Sequence, residues 1–193
     1  MKKLFVALIT ALSIHVSIAQ GNSADYYYQI PEAPEAYTPG TVAARLVDGL
    51  GFRYYWGTEG LRPEDLLYRP SDSARNVIET IDHVHGLTQV LLNAVNERPH
   101  ESVDLEDLAF SEKRELTLEN IQQASDILKN ANAGDLEKFN MVFSSRNEFP
   151  FWNLINGPIA DAINHVGQVI TFRRTNGNQI YQKISVLRGK VYE

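Results

Sequence analysis

Asp161 and His165, on one predicted helix near the end of the chain, have side chains that can bind a metal ion. They are four residues apart, so on an α-helix both side chains lie one turn apart and can point at one ion. Asp161 is the only charged residue between Leu154 and Phe172. A carboxylate on so uncharged a helix is expected to be partly buried, and a buried charge needs a partner or a metal. The pair indicates a divalent-metal site, although Asp and His at this spacing also form ordinary solvated pairs.

A further ligand is expected from the second predicted helix, which carries His83 and His85. On a helical wheel the two histidines lie on opposite flanks of the apolar stripe, so periodicity alone does not choose between them. Either imidazole can instead be a hydrogen-bonded structural group. Glu79 lies one turn before His83 and is a candidate for an extra ligand or a proton acceptor. Gln168 lies about one turn beyond His165 and is a candidate for orienting that imidazole or a bound water.

Four segments with helical periodicity must position these side chains. They begin near Thr41, near Ser71 or Ser73, after Ser111 and near Leu154. Each carries apolar residues three and four positions apart, which is the pattern of a helix that buries one face. The sequence therefore predicts an all-α fold, most simply an antiparallel up-and-down four-helix bundle. For residues 178–193 the pattern leaves both a short strand and a helix open. The clearest stripe is that of the second helix: Val77, Ile81, Val84, Thr88, Leu91 and Val95.

The first 19 residues have the pattern of a cleavable signal peptide. Lys2 and Lys3 precede an apolar run from Leu4 to Ile18, and Ser17-Ile18-Ala19 supplies small residues at the cleavage site. An uncleaved anchor is the alternative, but the run is shorter than the roughly 20 residues that span a bilayer. We therefore expect a periplasmic or secreted protein whose mature chain is not stably inserted in the membrane. A linker or arm, rich in proline and tyrosine, follows over residues 20–40, and the domain proper is expected over 41–193.

The composition restricts the chemistry further. The chain has 193 residues, no cysteine and a formal net charge of −6, which excludes thiolate catalysis and zinc held by cysteine. Any metal here must use histidine and carboxylate ligands. An acidic domain without a basic cluster is a poor partner for nucleic acid.

Two segments of the chain resemble the DinB-like family of metalloproteins, in particular its exported members. Tyr68-Arg69-Pro70 followed by Ile81-Asp82-His83-Val84 is similar to an early segment of that family. The later segment Asn164-His165-Val166-Gly167-Gln168-Val169, followed by Phe172-Arg173-Arg174, resembles a second one. Phe52-Arg53-Tyr54-Tyr55-Trp56 looks like the first helix of exported members. The resemblance covers roughly residues 40–180.

The resemblance implies an antiparallel four-helix bundle that holds a divalent metal with three residues. One histidine of the family comes from the second helix and matches His83, and two come from an H-x-x-x-H pattern on the last helix. Here the second of those is His165 and the first is replaced by Asp161. Two histidines and one carboxylate still suit zinc most closely, with nickel, iron or manganese as alternatives. The same replacement is also compatible with a weakened site.

The family includes thiol-dependent transferases and isomerases, but an exported protein would not meet the intracellular thiol pool. The expected function is therefore that of a metal-dependent hydrolase or transferase that activates water or a small nucleophile. Arg173 is a candidate for binding an anionic small-molecule substrate, or else for binding the C-terminal carbonyl groups of its own helix. The alternative function is a non-catalytic exported binding or scaffold bundle with a degenerate metal site. A homodimer would then use the small-residue strip on the last helix: Ala160, Asn164, Gly167 and Thr171.

Overall fold

Four long helices carry most of the fold. The structure, a computed structural model, describes residues 23–143 and 147–192, so the predicted signal peptide over residues 1–19 lies outside the described residues. The all-α class predicted from the sequence is consistent with this mainly helical structure. The helices are α1 (Ser23–Tyr26), α2 (Pro39–Thr58), α3 (Pro63–Leu66), α4 (Val77–Val95), α5 (Phe110–Asn130), α6 (Phe151–Leu154) and α7 (Ala160–Thr175), with a 3₁₀ turn (Asp135–Glu137) and a π-helical turn (Ile155–Ile159).

Two short antiparallel hairpins complete the described chain. Strands β1 (Met141–Val142) and β2 (Glu148–Phe149) pair just before α6. Strands β3 (Ile184–Ser185) and β4 (Lys190–Val191) pair near the C-terminus, so strand structure occurs within residues 178–193. Among the described residues, no helix is both long enough and apolar enough to span a membrane.

The helices α2 and α4 each begin at a capping box. At α2, the Thr38 hydroxyl accepts a hydrogen bond from Thr41 N at 3.1 Å, and Thr38 N donates to Thr41 Oγ1 at 2.9 Å. At α4, Asn76 Oδ1 accepts from Glu79 N at 2.9 Å, and Glu79 Oε2 accepts from Asn76 N at 2.8 Å. The N-caps are Thr38 and Asn76, whose backbones are extended, so α2 begins shortly before Thr41 and α4 begins after Ser73.

The last long helix of the sequence prediction is interrupted. Residues 151–175 form α6, a π-helical turn and α7, with a break at Gly157, whose φ of −93° and ψ of −106° are not helical. The next residue is Pro158, which has no N–H to donate and crowds the preceding turn. The break lets α7 start in a new direction, and Asp161 lies in its first turn.

The helices α2 and α5 pack against each other in opposite directions. The Ser125 hydroxyl, late in α5, donates to the Ala44 carbonyl early in α2 at 3.4 Å. At the other end, Arg114 Nε, early in α5, donates to Thr58 Oγ1 at the end of α2 at 3.0 Å. This pair is antiparallel, whereas the first and third long helices of the predicted up-and-down bundle would run parallel.

The helices α4 and α5, by contrast, run parallel, which corrects the up-and-down order predicted from the sequence. Contacts between them advance along both helices together. The connection over residues 96–109 makes this order possible: at about 3.3 Å per extended residue, it is longer than the roughly 28 Å of a 19-residue helix. The contacting pairs are Asp82 with Lys113 (3.0 Å), His85 with Thr117 (3.1 Å) and Gln89 with Asn120 (3.1 Å).

The segment before α2 is part of the packed domain and does not behave as a separate linker. Tyr27 is fully buried, and its hydroxyl donates to Asp48 Oδ1 in α2 at 3.2 Å. Ile30 N donates to the carbonyl of Gly189 at 2.8 Å, which ties this segment to the C-terminal hairpin. These contacts are those of an arm packed against the domain, which is one of the two alternatives for residues 20–40.

Candidate metal centre

The three ligands proposed from the sequence meet where α4 packs on α7. His83 comes from α4, and Asp161 and His165 come from the first two turns of α7. Asp161 Oδ2 lies 3.6 Å from His83 Nε2, and Asp161 Oδ1 lies 3.4 Å from His165 Nε2. One ligand atom from each residue lies within 4.8 Å of the other two. The structure thus brings together one imidazole from α4 and two side chains from α7.

These separations fit metal ligands better than hydrogen bonds. An N–H···O hydrogen bond normally spans 2.7–3.2 Å, which is shorter than both imidazole–carboxylate distances. Two ligand atoms that each lie about 2.1 Å from a tetrahedral zinc ion are about 3.4 Å apart. An ion or a water molecule bound between the three side chains would account for these separations.

Gln168 holds one of the imidazoles in place. Its Oε1 lies 2.8 Å from His165 Nδ1, in agreement with the role that the spacing suggested. An amide oxygen can only accept, so Nδ1 carries the proton and donates it to Gln168. In the neutral imidazole the lone pair is then on His165 Nε2, which lies 3.4 Å from Asp161 Oδ1. Metal-binding histidines are commonly fixed in this way by a hydrogen bond from their other nitrogen.

The electrostatic setting favours a neutral His83. Partial burial lowers the pKa of His83, and the positive charge of Arg75 and the neighbouring His165 lower it further, against the opposing effect of Asp161. A neutral imidazole has a lone pair for a metal, whereas an imidazolium has none. Arg75 lies two residues before α4 begins, outside the helical stripes, and no pattern in the sequence marks it as a neighbour of the site.

The centre is open to solvent on one side. The side chain of His165 is 12 % exposed, whereas that of Asp161 is 43 % exposed. An ion bound here would have three protein ligands and room for water or a substrate at the remaining positions. Three ligands with an open position are typical of catalytic zinc sites, while structural sites are closed by four.

His85, which periodicity could not separate from His83, lies elsewhere. It is buried, and its Nδ1 lies 3.1 Å from Thr117 Oγ1 in α5. Burial lowers the pKa of His85. The two histidines therefore face different neighbouring helices, His83 towards α7 and His85 towards α5.

Glu79 serves the start of α4 instead of the metal centre. Its carboxylate accepts from Asn76 N in the capping box, and it also lies 3.5 Å from Arg69 Nη2. Both partners lie before α4. The Glu79 carboxylate is therefore engaged at the start of the helix, and these contacts do not support the predicted role as a ligand or proton acceptor.

Arg173, considered for substrate binding, is buried, and its guanidinium is occupied by other groups. It donates to the carbonyls of Gly57 at 3.0 Å and Glu59 at 2.8 Å, where α2 ends. It also donates to Asn178 Oδ1 at 2.9 Å. These contacts occupy the guanidinium at the end of α2. The carbonyls that Arg173 binds belong to α2, and not to its own helix as the alternative to substrate binding expected.

The small-residue strip proposed for a homodimer, Ala160, Asn164, Gly167 and Thr171, is exposed along α7.

Comparison of the chain with protein-family models, with curated proteins and with solved structures gives no match.

Proposed function

We propose that this protein is an exported metal-dependent enzyme of the DinB-like type, in which α2, α4, α5 and α7 form a four-helix bundle. A divalent ion held by His83, Asp161 and His165 is its cofactor. The reaction is a hydrolysis or a group transfer on a small molecule. The order of the helices, with α4 and α5 parallel and a long connection between them, supports a bundle with one crossover.

The observation that carries the proposal is the convergence of three ligand atoms from two helices within 4.8 Å of one another. Asp161 stands where the DinB-like pattern has its first histidine, yet its carboxylate reaches towards both imidazoles. Two nitrogens and one oxygen suit zinc, and they are compatible with nickel, iron or manganese. A carboxylate also offsets one of the two positive charges of the ion.

Each residue of the proposed centre would have a separate role. When bound, the ion would lower the pKa of a coordinated water and polarise the substrate. His83 and His165 would hold the ion through Nε2, and the hydrogen bond between Gln168 Oε1 and His165 Nδ1 favours the tautomer that leaves Nε2 free. Asp161, the most exposed of the three ligands, lies at the open side, where a substrate would enter.

Elemental analysis of the protein purified from the periplasm, without a metal-binding tag, tests the proposal. We expect about one divalent ion per chain in the native protein. Single variants His83→Ala, Asp161→Ala and His165→Ala should each lose most of the ion, because two remaining ligands bind it weakly. Circular dichroism should show that their helix content is unchanged.

His100→Ala is the matched control, since His100 lies outside the centre and contacts Phe143. It should keep its metal in full. If the native protein contains no stoichiometric ion, or if the three ligand variants retain it as His100→Ala does, the proposal is wrong. The protein would then be a binding or scaffold bundle with a degenerate site.

A further inference from the structure

A large apolar groove lies at the N-terminal end of α2. Its volume is about 1250 Å³. The first turns of α2 form its floor, residues 33–39 form one side, and the segment from Pro150 to Ile159 forms the other. The groove is a feature separate from the metal centre, whose three ligands do not line it.

The groove leaves large apolar side chains in water. Trp152 is 76 % exposed, Tyr37 is 96 % exposed and Val42 is 56 % exposed, and all three line it together with Leu46 and Ile155. Covering apolar surface contributes roughly 25 cal/mol for each Å² removed from water. A concave apolar surface of this size is the usual form of a ligand site and is uncommon as unused surface.

The charges at the groove indicate the head group of the ligand. Arg45 is the only basic residue among the described residues that line it, and Glu137 is the only acidic one. Arg45 Nη1 donates to the Pro31 carbonyl at 2.8 Å. The hydrogen bond from Lys190, at 2.7 Å, lowers the pKa of the nearby Glu32 carboxyl, and the charge of Arg45 helps to lower it. Since the direct partner of Glu32 is Lys190, the exposed guanidinium of Arg45 has further N–H groups for a ligand.

Arg45 follows Val42 by three residues and precedes Leu46, so the cation adjoins the apolar floor. The floor also lies at the positive end of the α2 dipole, which favours an anion.

We propose that this groove binds a long-chain fatty acid, with the alkyl chain along Val42, Leu46, Trp152 and Ile155 and the carboxylate paired with Arg45. The apolar walls supply affinity for the chain, and the single cation selects a carboxylate over a neutral head group. The site is independent of the metal centre, so it stands whether or not the protein binds a metal.

Trp152 makes the proposal measurable, because the chain has only two tryptophans and the other, Trp56, is 6 % exposed. Titration of the protein with sodium palmitate, below the concentration at which it forms micelles, should shift the fluorescence of Trp152 to the blue with saturation at one equivalent. Hexanoate should give no shift at the same concentrations. Trp152→Phe should lose the shift but retain the heat of binding in calorimetry.

Variants separate the chain site from the head-group site. Leu46→Gln should weaken palmitate binding about tenfold, because it places a polar group against the chain. Arg45→Gln should weaken palmitate about fivefold, as an exposed ion pair would, and leave hexadecanol unchanged. Leu187→Gln, at an equally apolar residue that is 96 % exposed and outside the groove, should bind as the native protein does.

Three results would overturn the proposal. One is the absence of a saturable shift with palmitate. A second is equal weakening by Leu46→Gln and Leu187→Gln. The third is a blue shift that appears only with phosphatidylglycerol vesicles, or with rising protein concentration alone, because the groove would then bind a membrane surface or a second copy of the chain.

Discussion

The imidazole rings of His83 and His165 meet edge to face, with their centroids 4.6 Å apart and their planes at 81°. The two residues come from α4 and α7, so their contact depends on how these helices pack. Asp161 adds a carboxylate oxygen near each ring, at 3.6 and 3.4 Å from the Nε2 atoms. This arrangement has measurable consequences for stability as well as for metal content.

Zinc should stabilise the protein after its metal has been removed with a chelator. An ion that binds only the folded state contributes about 2.7 kcal/mol when its free concentration is 100 times Kd. For a chain of this size, that corresponds to a rise in melting temperature of roughly 5–10 °C. Thermal unfolding followed by circular dichroism, with and without zinc, measures the shift. Asp161→Ala should show almost none, and an equal shift in that variant would place zinc elsewhere.

Gln168→Leu should lower the metal affinity by about 10- to 100-fold, the usual effect of removing a hydrogen bond that orients a metal-binding histidine. The variant removes the acceptor of the His165 Nδ1 proton but no ligand. Competition with a fluorescent zinc chelator measures the affinity. Gln168→Glu keeps an acceptor and should bind zinc nearly as the native protein does. Gln123→Leu, at an exposed position of α5, is the matched control, and equal affinities for the two leucine variants would refute the role.

The ion pair of Asp65 should make stability depend on acid pH. Hydrogen bonds from Arg62, Asn178 and Asn176 hold the pKa of the buried Asp65 carboxyl far below its usual range. Since the unfolded chain takes up this proton first as pH falls, the stabilisation is complete above about pH 5 and is lost progressively as pH approaches the folded pKa. Asp65→Asn should lower the free energy of unfolding by about 2 kcal/mol at pH 7.

Urea unfolding at pH 7, 4 and 3 measures this effect. The difference between native protein and Asp65→Asn should shrink as pH falls, whereas Asp72→Asn, at an exposed position, should stay close to the native protein throughout. A constant difference from pH 7 to pH 3 would show that the pKa of Asp65 is the same in the folded and the unfolded chain.

Arg173→Gln should destabilise the fold and leave metal content unchanged. The guanidinium of Arg173 is buried and binds the carbonyls at the end of α2, so its loss leaves Gly57 and Glu59 without donors. We expect a loss of about 3 kcal/mol in the free energy of unfolding. Arg174→Gln, at the exposed neighbour, should change stability by less than about 0.5 kcal/mol. Unchanged stability in Arg173→Gln would show that the hydrogen bonds to the end of α2 do not contribute to folding.

Gly51→Ala should destabilise the protein, whereas Gly86→Ala should stabilise it. A Cβ atom at Gly51 would lie 2.5 Å from the ring of Tyr27, which is fully buried against α2. Overpacking of this kind costs about 2 kcal/mol. At Gly86, in α4, a Cβ meets nothing within 4 Å, so alanine should add up to about 1 kcal/mol of helix propensity. Chemical denaturation of both variants measures the contrast, and equal effects would show that Tyr27 does not pack on Gly51.

Much of the local structure could be predicted from the sequence, as could the pair Asp161 and His165 from helix spacing and His83 from the family resemblance. The stripe of α4 is correct because a helix that buries one face needs apolar residues every three or four positions. Asp161 and His165 are neighbours on any helix that contains them both, since one turn is 3.6 residues. The break at Gly157 was missed because neighbouring apolar residues continue the helical period across it.

The sequence by itself determined that Asp161 and His165 share a helix face and that any metal here must use histidine and carboxylate ligands. Helical periodicity left His83 and His85 open, and only the family resemblance favoured His83. The tertiary structure decided that His83 lies beside Asp161 and His165, that α4 and α5 run parallel, and that Arg173 binds the end of α2. The physical reason is that periodicity places a residue on a face of its own helix. Which helix covers that face depends on packing between segments far apart in the chain, and here that packing turns one flank of α4 to α7 and the other to α5.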